Sequence, residues 1–518
     1  MIPKTSKRVF LKRASSLAAL AGLSPSLSLP ALAQPVDAEL DALATELATE
    51  ALGQIVRLGQ PEHAKIKYYN ARFDCVRTKA FVRPKTIEGV QKTLAWARQH
   101  RRNLAIRGAG HSFEGRSSHP DLVIDMSLLK GLTFDDDGTL KVEAGVLLGD
   151  VYTKIAAAGH VFPGGTCPTV GIVGHTLGGG IGDFLPMFGY AAQHLTEVTL
   201  VTLSGSILKV NDERIELLGG TPLPEGDLKA RDLMTVLRGG GQGSLGVVTN
   251  MTLKTQDVRT AKLASFKLED ASGVSARRMV AIIQAWQAWR EALSKPMQSM
   301  ISAKLNLSRS GNGYDFDIAG LVVIPQGSDV DIAAVRQALN VLFQIPELKK
   351  KSFAPLSNAA AAIKTFLDDN ETTTNSRRRM LYGSSSALPQ ALPPRATQHL
   401  IQAMPTNLFV SLYTAGGVAN GGVATSLHPS EFLIEWAIYS LRVDTGAHRR
   451  IRTINAQVMR LAGFKDHALP SYPDNDARDY FANRPKLEAT RRLFDPDSLS
   501  TSSLLVKAAM PPGPAGCG

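Results

Sequence analysis

Along the first half of the chain, short β-branched apolar runs stop at proline, glycine or serine, and stretches of helical spacing fall between them. "AFVRP" (80–84) predicts a strand halted by proline. "TIEGVQKTLAWARQH" (86–100) predicts a helix with Thr86 as its N-cap, and "NLAIRGAGHS" (103–112) a strand running into a glycine turn. "LVIDMSLL", "LKVEAGVLLGDVYTKIAAAGH" and "LTEVTLVTLSGSILKV" continue the alternation to about Lys254, and residues 36–57 carry the Ala/Leu/Glu spacing of a helix. From about Gln256 to Gly463 the texture changes. The amphipathic "SARRMVAIIQAWQAWREAL" precedes strands "ISAKLNLS" and "YDFDIAGLVVI", then helix "VDIAAVRQALNVLF", and later strands "NLFVSLY" and "SEFLIEWAIYSL". Strands outside and helices between them predict an antiparallel sheet with covering helices. The turn-rich close, "SYPDNDARDYFANRPKLEATRRLFDPDSLS", is expected to pack back on the first region, making that domain discontinuous.

At 518 residues the chain exceeds what one core serves, and 44% hydrophobic with 20% charged residues is ordinary for a globular protein. The net charge is +12, of which residues 1–33 contribute five with no acid, leaving +7 dispersed except at "SRRRM" and "HRRIR"; a solvated surface fits better than a nucleic-acid groove. The start, "SKRVFLKR" before "ASSLAALAGLSPSLSLPALA", has the basic head, mildly apolar run and A-x-A-like end of an export signal cleaved after Ala33. Ser6-Lys7-Arg8-Val9-Phe10-Leu11-Lys12 resembles a twin-arginine signal with lysine for the first arginine, implying a periplasmic or secreted protein; an ordinary secretory signal is the alternative. The apolar run is too short and too interrupted for a membrane anchor. Cys75, Cys167 and Cys517 show no CxxC or metal-ligand spacing, so no metal is expected; one disulfide from Cys75 is open in an oxidising compartment, and the tail "MPPGPAGCG" has the composition of disorder.

Four glycine-rich stretches share the first region: "RGAGHSFEG", "FPGGTCPTVG", "GHTLGGGIG" and "RGGGQGSLG". Glycine lets bare backbone N–H groups close on an anion, so this density predicts a large phosphorylated ligand. Gly241 to Gly246 satisfies GxGxxG but runs into the strand-like "VVTNMTLKT" instead of a helix, against a nicotinamide-type Rossmann site. Walker, HExxH and GxSxG motifs are absent from the sequence.

These stretches resemble the berberine-bridge-enzyme-like branch of the vanillyl-alcohol oxidase/p-cresol methylhydroxylase flavoproteins. "AIRGAGHSFEG" is similar to its pyrophosphate loop, "FPGGTCPTVGIVGHTLGGGIG" to FPAGxCPTVGxGGHxxGGGxG, and "DLMTVLRGGGQGSLGVV" to DLFWALRGGGxxxFGVV; the likeness spans roughly residues 62–500 and is thin across 260–400. It implies an α+β fold: a two-part FAD-binding domain (60–258) with an inserted substrate domain of antiparallel sheet covered by helices (259–465). A C-terminal segment (466–505) returns to the FAD domain, ahead of a tail (506–518). It also implies FAD attached covalently through His111 and Cys167. Arg107, Gly108, Ala109, Gly110 and Ser112 would meet the pyrophosphate, and Gly179, Gly180 and Gly182 would pass beside it. Gly171, Gly174, His175, Gly246 and Val248 complete the implied cofactor set, His175 in a hydrogen-bonding or a catalytic role.

On the reacting side, "FLIEWAIYSL" holds one carboxylate, Glu435, in an apolar strand; buried there it must be paired or have a raised pKa, as a base requires, unless it faces outward on an edge strand. The resemblance puts Glu435 where relatives carry a catalytic Glu or Gln. Of the family's YxNY only Tyr472 survives, and Phe113 replaces a tyrosine, which puts carbohydrate and alkaloid substrates in question. Val170 falls where a small side chain leaves molecular oxygen a path. The expected function is an exported oxidase taking a hydride from an alcohol, sugar or amine-type carbon of a small-molecule substrate and reducing O2 to H2O2. A dehydrogenase using a quinone or other acceptor, and a catalytically decayed flavin-binding protein, are the alternatives.

Overall fold

The computed structural model describes residues 37–223, 228–367, 380–440, 442–470 and 480–505. The leader, Tyr472 and the tail 506–518 lie outside the described residues.

Two cores divide the molecule. The first holds a four-stranded sheet, β1 (Gly53–Arg57), β2 (Ala80–Pro84), β3 (Leu104–Arg107) and β4 (Leu122–Asp125), in the order β1-β2-β4-β3, with β4 parallel to both β2 and β3. The helix Ile87–Gln99 makes the right-sized crossover from β2 to β3. Thr86 caps it, its side chain accepting from Gly89 N at 3.0 Å, and the face with Val90, Leu94 and Ala97 is buried in the first core. Beside it stands an antiparallel sheet ordered β10-β9-β8-β11-β6-β5, built from β5 (Leu132–Phe134), β6 (Thr139–Glu143), β8 (Leu195–Thr202), β9 (Ser206–Asn211), β10 (Ile215–Gly220) and β11 (Gly246–Lys254). A short ribbon of β7 (His160–Val161) and β12 (Gln256–Asp257) closes this part.

The expected helix over 36–57 stops early: it spans Ala38–Thr49, and β1 follows it. Ala51 takes a positive φ of 55° at that reversal, and Gly53 lies so close to β2 that a Cβ would stand 2.8 Å from Arg83 O. The first sheet therefore begins ahead of residue 60.

The second core belongs to one seven-stranded antiparallel sheet, β13 (Lys262–Val274), β14 (Lys304–Ser310), β15 (Gly313–Ile324), β16 (Lys350–Leu356), β17 (Met380–Leu388), β18 (Leu408–Thr414) and β19 (Phe432–Ser440), ordered β16-β13-β15-β14-β18-β19-β17. Alternation gives it two characters. Leu305, Leu307, Val410, Leu412, Ile434 and Trp436 belong to the second core together with residues of the helices Ala276–Ala292, Pro394–Ala403 and Ala447–Ala462. Strand β17, "MLYGSSSAL", shows little apolar alternation in sequence, yet it is buried along almost its whole length beside β19. Small residues fit there because the first domain presses on it: a Cβ at Gly383 would stand 2.8 Å from the Phe113 ring.

The C-terminal stretch returns to the first domain at β3. Leu104 N donates to Leu499 O at 3.1 Å, Thr501 N to Leu104 O at 2.9 Å, and Ile106 N to Ser502 Oγ at 2.8 Å. Cys75 is in a disulfide, and Cys167 is not. No helix of the described residues is long and apolar enough to cross a membrane.

Candidate active site

A cavity of roughly 270 Å3 lies between the glycine loops of the first domain and the polar face of the seven-stranded sheet. The loop after β3 supplies Gly108, Ala109, Gly110, His111 and Ser112; the loop before and into the helix Ile172–Leu177 supplies Cys167, Val170, Gly171, Gly174 and His175; Gly182, Gly246 and Val248 also line it. Across from them stands Glu435 on β19.

Backbone meets backbone where these loops touch. A Cβ on Gly182 would stand 1.9 Å from Gly164 O, and one on Gly171 3.1 Å from Ala109 N, so side chains there would push the walls apart. Gly110 has φ +78°, a conformation that costs glycine little and most residues more. Gly174 is different: nothing lies within 4 Å of its missing Cβ, and at Gly108 only Ala144 O is near, at 3.7 Å. Bare backbone therefore faces open space, the surface that a large ligand with phosphate oxygens requires. Ser117 Oγ, buried on the same cavity, has no hydrogen-bond partner among the described residues. These features fit FAD.

His111 stacks on Tyr69, ring centroids 4.2 Å apart, and its Nε2 lies 2.9 Å from Thr169 Oγ1. Burial, with smaller contributions from the Arg107 charge and His175, pushes its pKa down to about 3, leaving a neutral imidazole at ordinary pH. His175 Nε2 accepts from Gly165 N at 2.9 Å, and burial pushes its pKa down to about 4. That bond ties the Cys167 loop to the helix Ile172–Leu177, the hydrogen-bonding role.

Arg107, Gly179 and Gly180 are not on the cavity wall. Arg107, expected at the pyrophosphate, instead pairs with buried Asp125 at 3.0 Å and donates to Lys67 O at 3.1 Å, holding the loop from behind. A cation one residue before a glycine turn curls under it, where β4 offers a carboxylate at the register position Arg107↔Asp125. Gly179 (φ +100°) and Gly180 (φ +74°) turn the chain, with Cβ positions that would meet Leu427 at 2.9 Å and Ala191 at 2.5 Å.

Glu435 sits on an inner strand, half-buried, which removes the edge-strand alternative. It is paired: Tyr413 OH donates to its Oε2 at 2.6 Å. Register aligns a polar row across five strands, Asp317, Asn306, Ser411, Glu435 and Ser385. Ser411 Oγ donates to Asn306 Oδ1 at 2.7 Å, and Asn306 Nδ2 donates to Asp317 Oδ1 at 2.9 Å. Burial pushes Asp317 up to about 7 against the Asn306 hydrogen bond and the Lys304 charge. Lys304, Phe409 and Tyr439 also face the cavity. Sequence reasoning missed Tyr69, Lys304, Ser411, Tyr413 and Tyr439. Alternation from Glu435 alone gives Tyr439, four residues on and on the same face; the others needed the cross-strand partners.

The arrangement can hold a planar cofactor along the glycine loops and present a carboxylate, a hydroxyl and an ammonium to a second molecule. A family model described as an FAD binding domain matches residues 78–211. The FAD-linked oxidoreductase easE of Trichophyton verrucosum is 27% identical over 470 residues, covering 80% of this chain and 71% of its own. Berberine bridge enzyme-like 17 of Arabidopsis thaliana is 35% identical over 185 residues, 35% of this chain and 32% of its own. Among solved structures, BBE-like 1 of Physcomitrella patens superposes with a TM-score of 0.72 at 23% identity over 88% of this chain and 97% of its own. A chitooligosaccharide oxidase superposes at 0.70 with 19% identity, over 88% and 97%; both likenesses concern the fold. The chain is thus an FAD-linked oxidoreductase with an FAD-binding domain, similar in sequence and in fold to the berberine bridge enzyme-like proteins.

Proposed function

We propose that this enzyme is an exported oxidase whose FAD is attached through both His111 and Cys167, with Glu435 as the base that takes a proton from the hydroxyl or amine of a small-molecule substrate. Bound FAD supplies the hydride acceptor and the route by which electrons reach O2 as H2O2. The observation that carries the reading is one cavity wall holding His111 and Cys167 opposite Glu435. A neutral imidazole and a thiol outside any disulfide are nucleophiles, and no metal-type cluster surrounds them among the described residues. Tyr413 on β18 fixes one oxygen of Glu435, leaving the other to face the substrate.

Mass spectrometry of flavin peptides from denatured protein tests the attachment. Two linked sites are expected, reduced to one in His111→Ala or Cys167→Ala; flavin that washes free of the wild type refutes it. Export is a proposal from the leader alone, tested by whether the mature protein recovered outside the cytoplasm starts after Ala33. A dehydrogenase is the second reading. The relevant observation is that Val170 lines the cavity beside Cys167, where its side chain sets the room left for dioxygen.

A further inference from the structure

Lys304 is a buried lysine, 7% exposed, whose strand neighbours Leu305 and Leu307 enter the second core while it faces the cavity. A buried ammonium outside any ion pair is unfavourable. Register places Tyr413 and Ala319 beside it, with no carboxylate directly across. Of the nearby acids, Asp317 accepts from Asn306 and feels the Lys304 charge without an ion pair to it, Glu435 accepts from Tyr413, and among the described residues Lys304 forms no ion pair. Its Nζ rests 4.4 Å from the Tyr413 ring centroid. A cation–π contact offsets only part of the desolvation.

The rest of the row sets the complementary chemistry. Ser411 spends its proton on Asn306, which is oriented by its own bond to Asp317. Ser411 Oγ and Glu435, neighbours in register, are therefore both acceptors and call for an O–H or N–H donor. Tyr413 keeps the ammonium one ring away from that pair instead of neutralising it. Phe409 and Tyr439, packed edge to face with centroids 5.7 Å apart, offer apolar wall to a flat body.

We propose that Lys304 binds an anionic group of the substrate, so that the enzyme takes carboxylate-bearing alcohols or amines, with the hydroxyl or amine at Ser411 and Glu435 and the carboxylate on the lysine. The inference rests on the oxidoreductase reading of the cavity and names its substrate class. Matched probes test it: mandelate against methyl mandelate and 1-phenyl-1,2-ethanediol, and 4-(hydroxymethyl)benzoate against its methyl ester. They are followed by anaerobic flavin bleaching of the holoenzyme, with benzoate binding measured by calorimetry as a readout without turnover. The acids are expected to be preferred at least about 10-fold in kcat/KM. Lys304→Met should lower the acid-to-ester preference and weaken benzoate about 10- to 100-fold, the loss of one charge-assisted bond. Lys304→Arg should restore much of both, and flavin content and melting temperature report that the variants fold. Equal use of acids and esters, or a Lys304→Met variant that slows both alike while benzoate binds as before, overturns the proposal; the latter would mean that Lys304 acts on Tyr413. Bleaching by neutral alcohols or sugars but by none of the acids overturns it too, and leaves the oxidoreductase reading standing. No bleaching by any alcohol, sugar or amine sinks both.

Discussion

Replacing Asp317 by asparagine isolates the electrostatic cost of the polar row. Burial, helped by the Glu269 charge, outweighs the Asn306 hydrogen bond and the Lys304 charge and moves the pKa of the carboxyl from 3.8 to about 7. A raised carboxyl pKa means that the folded state holds the proton more tightly than the unfolded chain. Its contribution to stability is thus most favourable in acid, declines as pH rises above about 4, and levels off above about 7. Some three pK units at about 1.4 kcal/mol each give a total near 4 kcal/mol, of which about 2–3 kcal/mol falls between pH 5 and pH 8. Asp317→Asn keeps an acceptor for Asn306 and removes the titration. Urea denaturation of wild-type and variant holoprotein at pH 5 and pH 8 should show the variant gaining that much on the wild type at the higher pH. A difference that does not change with pH would refute the reasoning, since the carboxylate would then be ionising as if solvated.

Glu435→Gln should lower the rate of flavin reduction by about 10²- to 10⁴-fold without loss of flavin, measured by anaerobic stopped flow, as removal of a general base does; an unchanged rate would move the base elsewhere. Gly182→Ala puts a methyl 1.9 Å from Gly164 O, and should destabilise the protein by about 1–3 kcal/mol or more and reduce flavin content, read by melting temperature and absorbance; normal values would mean the two loops part freely. Val170→Leu should slow reoxidation by O2 at least about 10-fold while leaving reduction by substrate in place; equal reoxidation would remove Val170 from the oxygen path. Below pH 6.5 the buried neutral His175, lowered to about 4, favours the unfolded chain, which gains protons first, so in the Asp317→Asn background, where the opposing carboxyl titration is removed, stability should fall from pH 6.5 towards pH 4; a flat denaturation profile there would contradict its burial.

Much of the first domain was legible because its signals are local. The Thr86 cap, the apolar runs that became β2, β4, β6 and β8, and the glycine loops each depend on residues a few positions apart. The placement of twelve expected cofactor-side residues on one cavity followed from loops that carry their own backbone requirements. Strand β17 was not legible, because its small residues answer to distant neighbours: Gly383 to the Phe113 ring, Ser386 to Asn455 and Asp466, and Ser385 to Leu469 N. Arg107 likewise looks like an anion ligand until β4 brings Asp125 against it.

The sequence by itself determined the α+β alternation and the flavin-type glycine loops, and it singled out His111, Cys167 and Glu435 as candidates. Tertiary structure decided what surrounds that carboxylate. Tyr413 reaches Glu435 across 22 residues, Ser411 reaches Asn306 across 105, and Lys304 meets Tyr413 only because β14 and β18 pair in one register. Register is fixed by the whole apolar face packing under its helices, and a shift of one residue would turn the polar row into the core.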